Sequence, residues 1–282
     1  MASPPGRRGR RPRSQHAVAI VAFLTLVLAG TTACGSTSTS AGRRFEPRIA
    51  GTLTVATAYL PAPSLWIPNH QTYAGFEAGL AEAIADELGV EEVEVVQVPF
   101  ADLVAGDLGG ADIAISTITP TAERDRVLDF TSPYLDAPPG VLVRPGTEVR
   151  DAQDLRALRW AVVGASTLTD VVTERIRPDE APLEVDDRTE QLRALRGDEA
   201  DAVLLDLPVA QGLAASAPTL YEVAGQLSRG ETLAVALPDG SPNLEIVDSA
   251  VRALRADGTI DRLADRWLGS SGDEIPLIRV AS

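Results

Sequence analysis

Apolar positions along the chain switch between two periods from residue 51 onward. Residues 51–57 (G-T-L-T-V-A-T) alternate as a half-buried strand does, and the proline-rich stretch 58–68 that follows reads as a loop. From residue 75, Phe76, Leu80, Ala83, Ile84 and Leu88 recur at helical spacing until Gly89 stops the helix. Strands are expected at 94–99 and 113–115, with Phe100 ending the first of these. The pattern then repeats, with strands at 141–143, 160–163 and 200–206 and helices at 154–158, from about 166 to 177, at 190–197 and from 208. A strand at 233–237 precedes two amphipathic helices, 244–256 and 260–268. Alternation of this kind builds right-handed βαβ units and an α/β fold of open, mostly parallel sheets flanked by helices.

A chain of 282 residues exceeds what one core usually serves, so two lobes are expected. Residues 136–140 and 233–237 read as crossings between them, a hinge able to shut a cleft on a small molecule. The expected division is 50–137 with 236–270 as lobe 1, 138–235 as lobe 2 and 271–282 as a C-terminal tail.

The first 34 residues follow a different rule. Arg7, Arg8, Arg10, Arg11 and Arg13 precede an apolar run, 17–30, that is shorter than the roughly 20 residues of a bilayer span. Residues 1–33 therefore read as a secretory signal, although no apolar pair follows the arginines as a twin-arginine signal would require. Cys34 is the only cysteine, which excludes an intrachain disulfide. A lone thiol in an exported chain makes sense if the sulfur carries lipid, with 34–49 as a flexible tether. The alternative is a plain signal cleaved nearby.

Without residues 1–33 the chain carries 20 arginines, no lysine and 40 acids, a net charge of −20. So acidic a body excludes binding to nucleic acid or to an anionic membrane surface. The protein is expected to be a monomer that meets the membrane only through its N-terminal lipid.

Candidate chemistry concentrates in residues 111–134. The strand at 113–115 runs into Ser116, Thr117, Thr119 and Thr121, then Arg124 between Glu123 and Asp125, then Phe130, Pro133 and Tyr134. Hydroxyls and a guanidinium just beyond a strand's carboxyl end lie where an open α/β sheet holds ligands, and they suit an anion. The plainer reading is a turn, with Arg124 paired to its acidic neighbours. Ser166 and Thr167 open a helix after strand 160–163, where they can cap it or join its N–H groups in an anion site. Asp206 ends the strand 200–206, where it can cap the next helix or meet a ligand. Tyr59 and Trp66 lie in the loop after the first strand, as ligand wall or as surface plug. No metal-ligand spacing, P-loop or nucleophile elbow is present, and no cofactor is expected.

In that order, Asp112, Ser116, Thr117, Thr119, Thr121, Glu123, Arg124, Phe130, Ser132, Pro133 and Tyr134 resemble the signature of the extracellular solute-binding proteins of family 3, the amino-acid receptors of ABC importers. G-F-E-A-G-L at 75–80, G-A-S-T at 164–167, D-A-V-L-L-D at 201–206 and the stretch 255–269 are similar to further family motifs. Thr31-Thr32-Ala33-Cys34 resembles a bacterial lipobox, with Thr31 where an aliphatic residue is usual. The resemblance implies a two-lobed periplasmic-binding-protein fold of type II, and partners in ABC permease subunits. It also implies that Arg124 grips a carboxylate with help from Thr117, Thr119, Ser166 and Thr167, and that Asp206 receives an ammonium.

Three departures from the family pattern stand out. Ala165 replaces the usual glycine, and Glu77 with Gly79 replaces a pair of acids, removing a hydrogen bond from the second. Ala58 stands where many relatives have an acid for the amine. With Tyr59, Leu60, Pro61 and Trp66 nearby, that favours an uncharged or apolar solute side chain, or a solute with other amine contacts. A small-carboxylate dehydratase on the same fold, or a sensory module for a separate signalling partner, are the competing classes.

Overall fold

A computed structural model describes residues 44–227, 231–268 and 275–280. The expected signal segment and Cys34 lie outside the described residues. The order is β1 (Thr52–Thr57), β2 (Ile67–Asn69), β3 (Thr72–Ala74), α1 (Phe76–Leu88), β4 (Glu92–Gln97), α2 (Phe100–Val104), β5 (Ile113–Ala114) and β6 (Leu128–Phe130). Then come β7 (Leu135–Asp136), β8 (Pro139–Val143), α3 (Ala152–Ala157), β9 (Trp160–Val163), α4 (Thr167–Asp170), β10 (Leu183–Val185), α5 (Arg188–Arg196), β11 (Ala202–Asp206), α6 (Leu207–Ser216) and β12 (Glu222–Gln226). The chain finishes with β13 (Thr232–Leu233), β14 (Ala236–Pro238), α7 (Leu244–Ala256) and α8 (Thr259–Trp267).

Two five-stranded sheets result, ordered β4-β1-β5-β14-β6 and β10-β9-β11-β8-β12. In each, four strands point one way and one runs against them, β14 in the first and β8 in the second. Each reversed strand is the one entered from a crossing. The crossings pair with each other, Thr232 opposite Asp136 and Leu233 opposite Leu135, as a two-stranded antiparallel hinge.

The second sheet shows why its strands read as continuous apolar runs. Val141, Val143, Trp160, Val162, Ala202 and Leu204 pack in one cluster, while the alternate residues Leu142, Ala161, Val203 and Leu205 pack in the other. A strand buried on both faces has no polar side to expose.

Several elements differ from the expectation. The proline-rich loop ends in the hairpin β2–β3. Phe100 starts α2 instead of ending a strand, because Pro99 occupies the helix N-cap, where a missing N–H is no loss. The edge strands β10 and β12 were not foreseen, since each mixes exposed acids with few apolar residues.

The expected tether 34–49 needs correcting at its end. Phe45 is buried in the main core, Glu46 N–H donates to Asn243 at 3.0 Å and Arg48 N–H to Asp112 at 2.8 Å, so the folded body begins by residue 45. The expected tail 271–282 is also docked over 275–280. Gln226 N–H donates to the Pro276 carbonyl, Ile278 N–H donates back to that of Gln226, both at 2.8 Å, and Ile278 is buried beside β12. No helix among the described residues is long and apolar enough to cross a membrane.

Candidate functional site

The carboxyl ends of β1 and β5 in the first sheet face those of β9 and β11 in the second, and every candidate except Trp66 and Arg124 comes from these ends. Arg124, in the turn Arg124–Arg126, is 7 % exposed. Its Nη1 donates to the Thr119 carbonyl at 2.7 Å. Its Nη2 crosses to the other lobe and donates to the Ala165 carbonyl at 3.0 Å. Phe100 lies under the guanidinium at 5.6 Å, and burial holds its pKa below the usual arginine value against the opposing charges of Tyr59, Glu123 and Asp170.

A second arginine makes the reverse crossing. Arg188, the first residue of α5, sends Nη2 from lobe 2 to Thr117 Oγ1 of lobe 1 at 3.0 Å. Its guanidinium stacks on Tyr59 at 4.4 Å, and Tyr59 stacks on Phe100 at 5.7 Å. Arg124, Phe100, Tyr59 and Arg188 thus form one layered column between the lobes. Each charge-assisted hydrogen bond of this kind contributes about 1.5–3 kcal/mol.

Asp206 lies near this column, 4 % exposed at the end of β11. Its side chain does not cap α6, so the simpler structural role is not the one it fills. Burial pushes its carboxyl up to about 7, Arg188 pulling it down and Glu231 and Glu77 pushing it further up. Burial likewise raises Tyr59 to about 12, and both Arg188 and Asp206 act on that phenol. Tyr59 is thus within electrostatic reach of both Arg124 and Asp206, while neither residue lines the crevice beside Arg188.

The hydroxyls divide by role. Ser116 Oγ accepts from Ala58 N–H at 2.9 Å and Thr57 Oγ1 at 3.4 Å, which ties β5 to β1. Ser166 caps α4 by accepting from Leu168 N–H at 3.3 Å. The hydroxyls of Thr119 and Thr167, both half-buried, make no hydrogen bond among the described residues. Thr117 and Ala165 hold left-handed backbones, φ 47° and 60°. Conformations of this kind in non-glycine residues cost on the order of 1–3 kcal/mol and gather at functional sites.

Trp66 is corrected from ligand wall to interior support. It is 1 % exposed, and its Nε1–H donates to Glu77 Oε2 at 2.8 Å. Glu77 Oε1 accepts from Thr117 N–H at 2.7 Å and from the Tyr134 hydroxyl at 2.9 Å, and burial raises its pKa against these three donors. Glu77 thus holds Thr117 in place. Gly75 permits this, since a Cβ there would stand 2.2 Å from the Leu65 carbonyl at φ 135°. Gly79 has its own reason, a close approach of α8 in which a Cβ would meet Leu263 Cδ2 at 2.7 Å.

Arg188 is the site residue that the sequence reading missed. As the lobes stand, the crevice lined by Tyr59, Ser166, Thr169, Arg188 and Gln191 measures about 20 Å³, room for a single water. A solute reaches it only when the lobes part. Among the described residues, no cluster of His, Cys, Asp and Glu is arranged to hold a metal ion.

Residues 53–270 match the bacterial extracellular solute-binding proteins, family 3. The chain belongs to that family. It is 26% identical over 224 residues to the L-cystine-binding protein TcyJ of Escherichia coli (strain K12), covering 78% of this chain and 84% of TcyJ. An ancestral arginine-binding protein bound to glutamine superposes with a TM-score of 0.69 at 28% identity, covering 79% of this chain and 100% of that one. An amino acid ABC transporter substrate-binding protein from Streptococcus pneumoniae, bound to L-arginine, gives 0.68 at 29% identity, covering 77% and 94%. The two-lobed architecture is that of the type II periplasmic binding proteins, and this family member is a solute-binding protein.

Proposed function

We propose that this family 3 protein captures an amino acid or similar small zwitterion between its lobes, outside the cytoplasmic membrane, and delivers it to an ABC importer. The supporting observation is the reciprocal crossing, in which Arg124 of lobe 1 donates to Ala165 of lobe 2 and Arg188 of lobe 2 donates to Thr117 of lobe 1. Both guanidiniums end on groups that a solute carboxylate can replace once the lobes open about β7 and β13. Arg124 offers two parallel N–H donors to such a carboxylate, a fork that lysine lacks. The hydroxyls of Thr119 and Thr167 complete that end, and Asp206 takes the ammonium.

The lobes divide as the crossings divide the sheets, and contacts to the solute are complete only on closure. To move closure from rare to dominant, the solute must favour the closed form by about 5.5 kcal/mol. The names of the relatives, binders of amino acids and components of ABC transporters, agree with this reading. Lipid on Cys34 would hold the protein at the outer membrane face.

The competing enzyme reading, which the relatives do not favour, would draw on Asp206, whose buried carboxyl is pushed up to about 7, in the range suited to proton transfer. A thermal-shift screen of the purified protein against amino acids, amines and small acids tests the first reading, with stabilisation by an amino acid expected. Recovery of that solute chemically unchanged after incubation is expected of a receptor, and its conversion would establish the enzyme instead.

A further inference from the structure

Resting on the receptor reading above, we infer that Arg188 is a specificity-determining residue and that the solute is an acidic amino acid, whose second carboxylate docks on the Nη1 of Arg188. Three observations carry this. First, Arg188 Nη1 is buried without a hydrogen-bond partner among the described residues, in a residue only 8 % exposed that lines the crevice. Second, apart from the Tyr59 hydroxyl, the other polar groups lining the crevice already hold partners. Gln191 Nε2 donates to the Ala161 carbonyl, Thr169 Oγ1 donates to that of Val163, and Ser166 Oγ accepts from Leu168 N–H. The one charged donor open to a solute side chain is therefore Arg188.

The third observation is charge. Two guanidiniums, Arg124 and Arg188, share the column with one carboxyl, Asp206, and no ion pair of Arg188 occurs among the described residues. Glu77 acts on Arg188 only at a distance, since its two oxygens serve Trp66, Thr117 and Tyr134 and make no contact with the guanidinium. Asp187 caps α5 on Glu190 N–H and makes no ion pair with Arg188 among the described residues. A zwitterion without a charged side chain satisfies Arg124 and Asp206 and leaves the buried Arg188 with Glu77 at a distance but no carboxylate in hydrogen-bond contact, which is unfavourable. One further carboxylate neutralises it. The uncharged or apolar side chain favoured by Ala58 is thereby replaced, because Arg188 reaches the crevice from the opposite lobe.

The test is calorimetric titration of the purified protein with L-glutamate, L-aspartate, L-glutamine, L-asparagine, L-arginine and glutarate. Wild type is expected to prefer an acidic amino acid to its amide by about 30-fold or more, the effect of leaving one side of a buried charge pair unmatched. Arg188→Met, which keeps the stem against Tyr59 and loses the charge, should bind acid and amide within about threefold of each other. Should Arg188→Met fail to fold, Arg188→Lys serves, with charge retained, the fork lost and an intermediate preference expected. Equal or tighter wild-type binding of an amide or of L-arginine, dependent on Arg124, would overturn this inference and leave the receptor reading standing. An acid preference that survives Arg188→Met would overturn it too, as would glutarate binding as tightly as L-glutamate. Binding of no amino acid at all would overturn both.

Discussion

Replacing Arg124 with alanine removes both N–H groups that span Thr119 and Ala165, at 2.7 and 3.0 Å, above the Phe100 ring. If those donors pass to a solute carboxylate on binding, the variant leaves a charge buried without its partner. Such truncations cost about 2–5 kcal/mol, or roughly 30-fold to several-thousand-fold in Kd. A thermal scan with solute at a thousand times the wild-type Kd should stabilise wild type by about 4.1 kcal/mol. Melting moves by roughly 2–4 °C per kcal/mol in a domain of this size, giving a shift of about 8–16 °C. A variant weakened 100-fold retains about 1.4 kcal/mol under the same conditions, hence about 3–6 °C. Comparing shifts with and without solute removes any loss of intrinsic stability from the two orphaned carbonyls. Arg124→Lys should recover little, because the fork is lost while the charge remains. A shift in Arg124→Ala equal to that of wild type would refute the assignment.

Four further outcomes follow from the same geometry. Asp206 holds a proton up to about pH 7 when folded but releases it near its ordinary value when unfolded. The folded state therefore binds more protons between about pH 4 and 7, and stability falls as pH rises through that window. Relative to Asp206→Asn, wild type should lose about 4 kcal/mol at most across it, read from urea midpoints at several pH values; a constant difference would contradict this. Solute affinity should fall about tenfold per unit below pH 7, as the ammonium loses its carboxylate partner, and should be flat in Asp206→Asn. Phe45→Ala should cost about 3–5 kcal/mol by denaturant unfolding, whereas an unchanged midpoint would return residue 45 to the tether. Glu77→Gln deprives one of three donors of its acceptor, and a loss of about 1–3 kcal/mol is expected from the same measurement.

The fold was legible where burial imposes a period. β1, β9 and β11 and the helices α1, α7 and α8 follow their hydrophobic spacing, while β10 and β12 sit at a sheet edge with too little apolar content to show. Arg124, Thr117 and Asp206 were legible as candidates because each lies at or beyond a strand's carboxyl end and belongs to a recognisable motif. Arg188 was missed because a polar stretch before a helix reads as a solvated face. A local signal did exist. Asp187 accepts from Glu190 N–H at 2.9 Å while Glu190 Oε2 accepts from Asp186 N–H at 3.3 Å, a reciprocal cap that starts α5 at Arg188 and not at 190. Which way that first side chain turns depends on Tyr59 and Thr117 of the other lobe, about seventy residues or more upstream, and no local pattern encodes it. Trp66 was ambiguous for the same reason, since its partner Glu77 is set by how α1 begins at Gly75.

The most direct measurement is a crystal structure of the protein soaked or grown with the amino acid that gives the largest thermal shift. The solute carboxylate is expected about 3 Å from the Arg124 guanidinium and its ammonium about 3 Å from Asp206, with the lobes closed over both. A solute bound outside this crevice, or bound in it with neither residue in contact, would contradict the account.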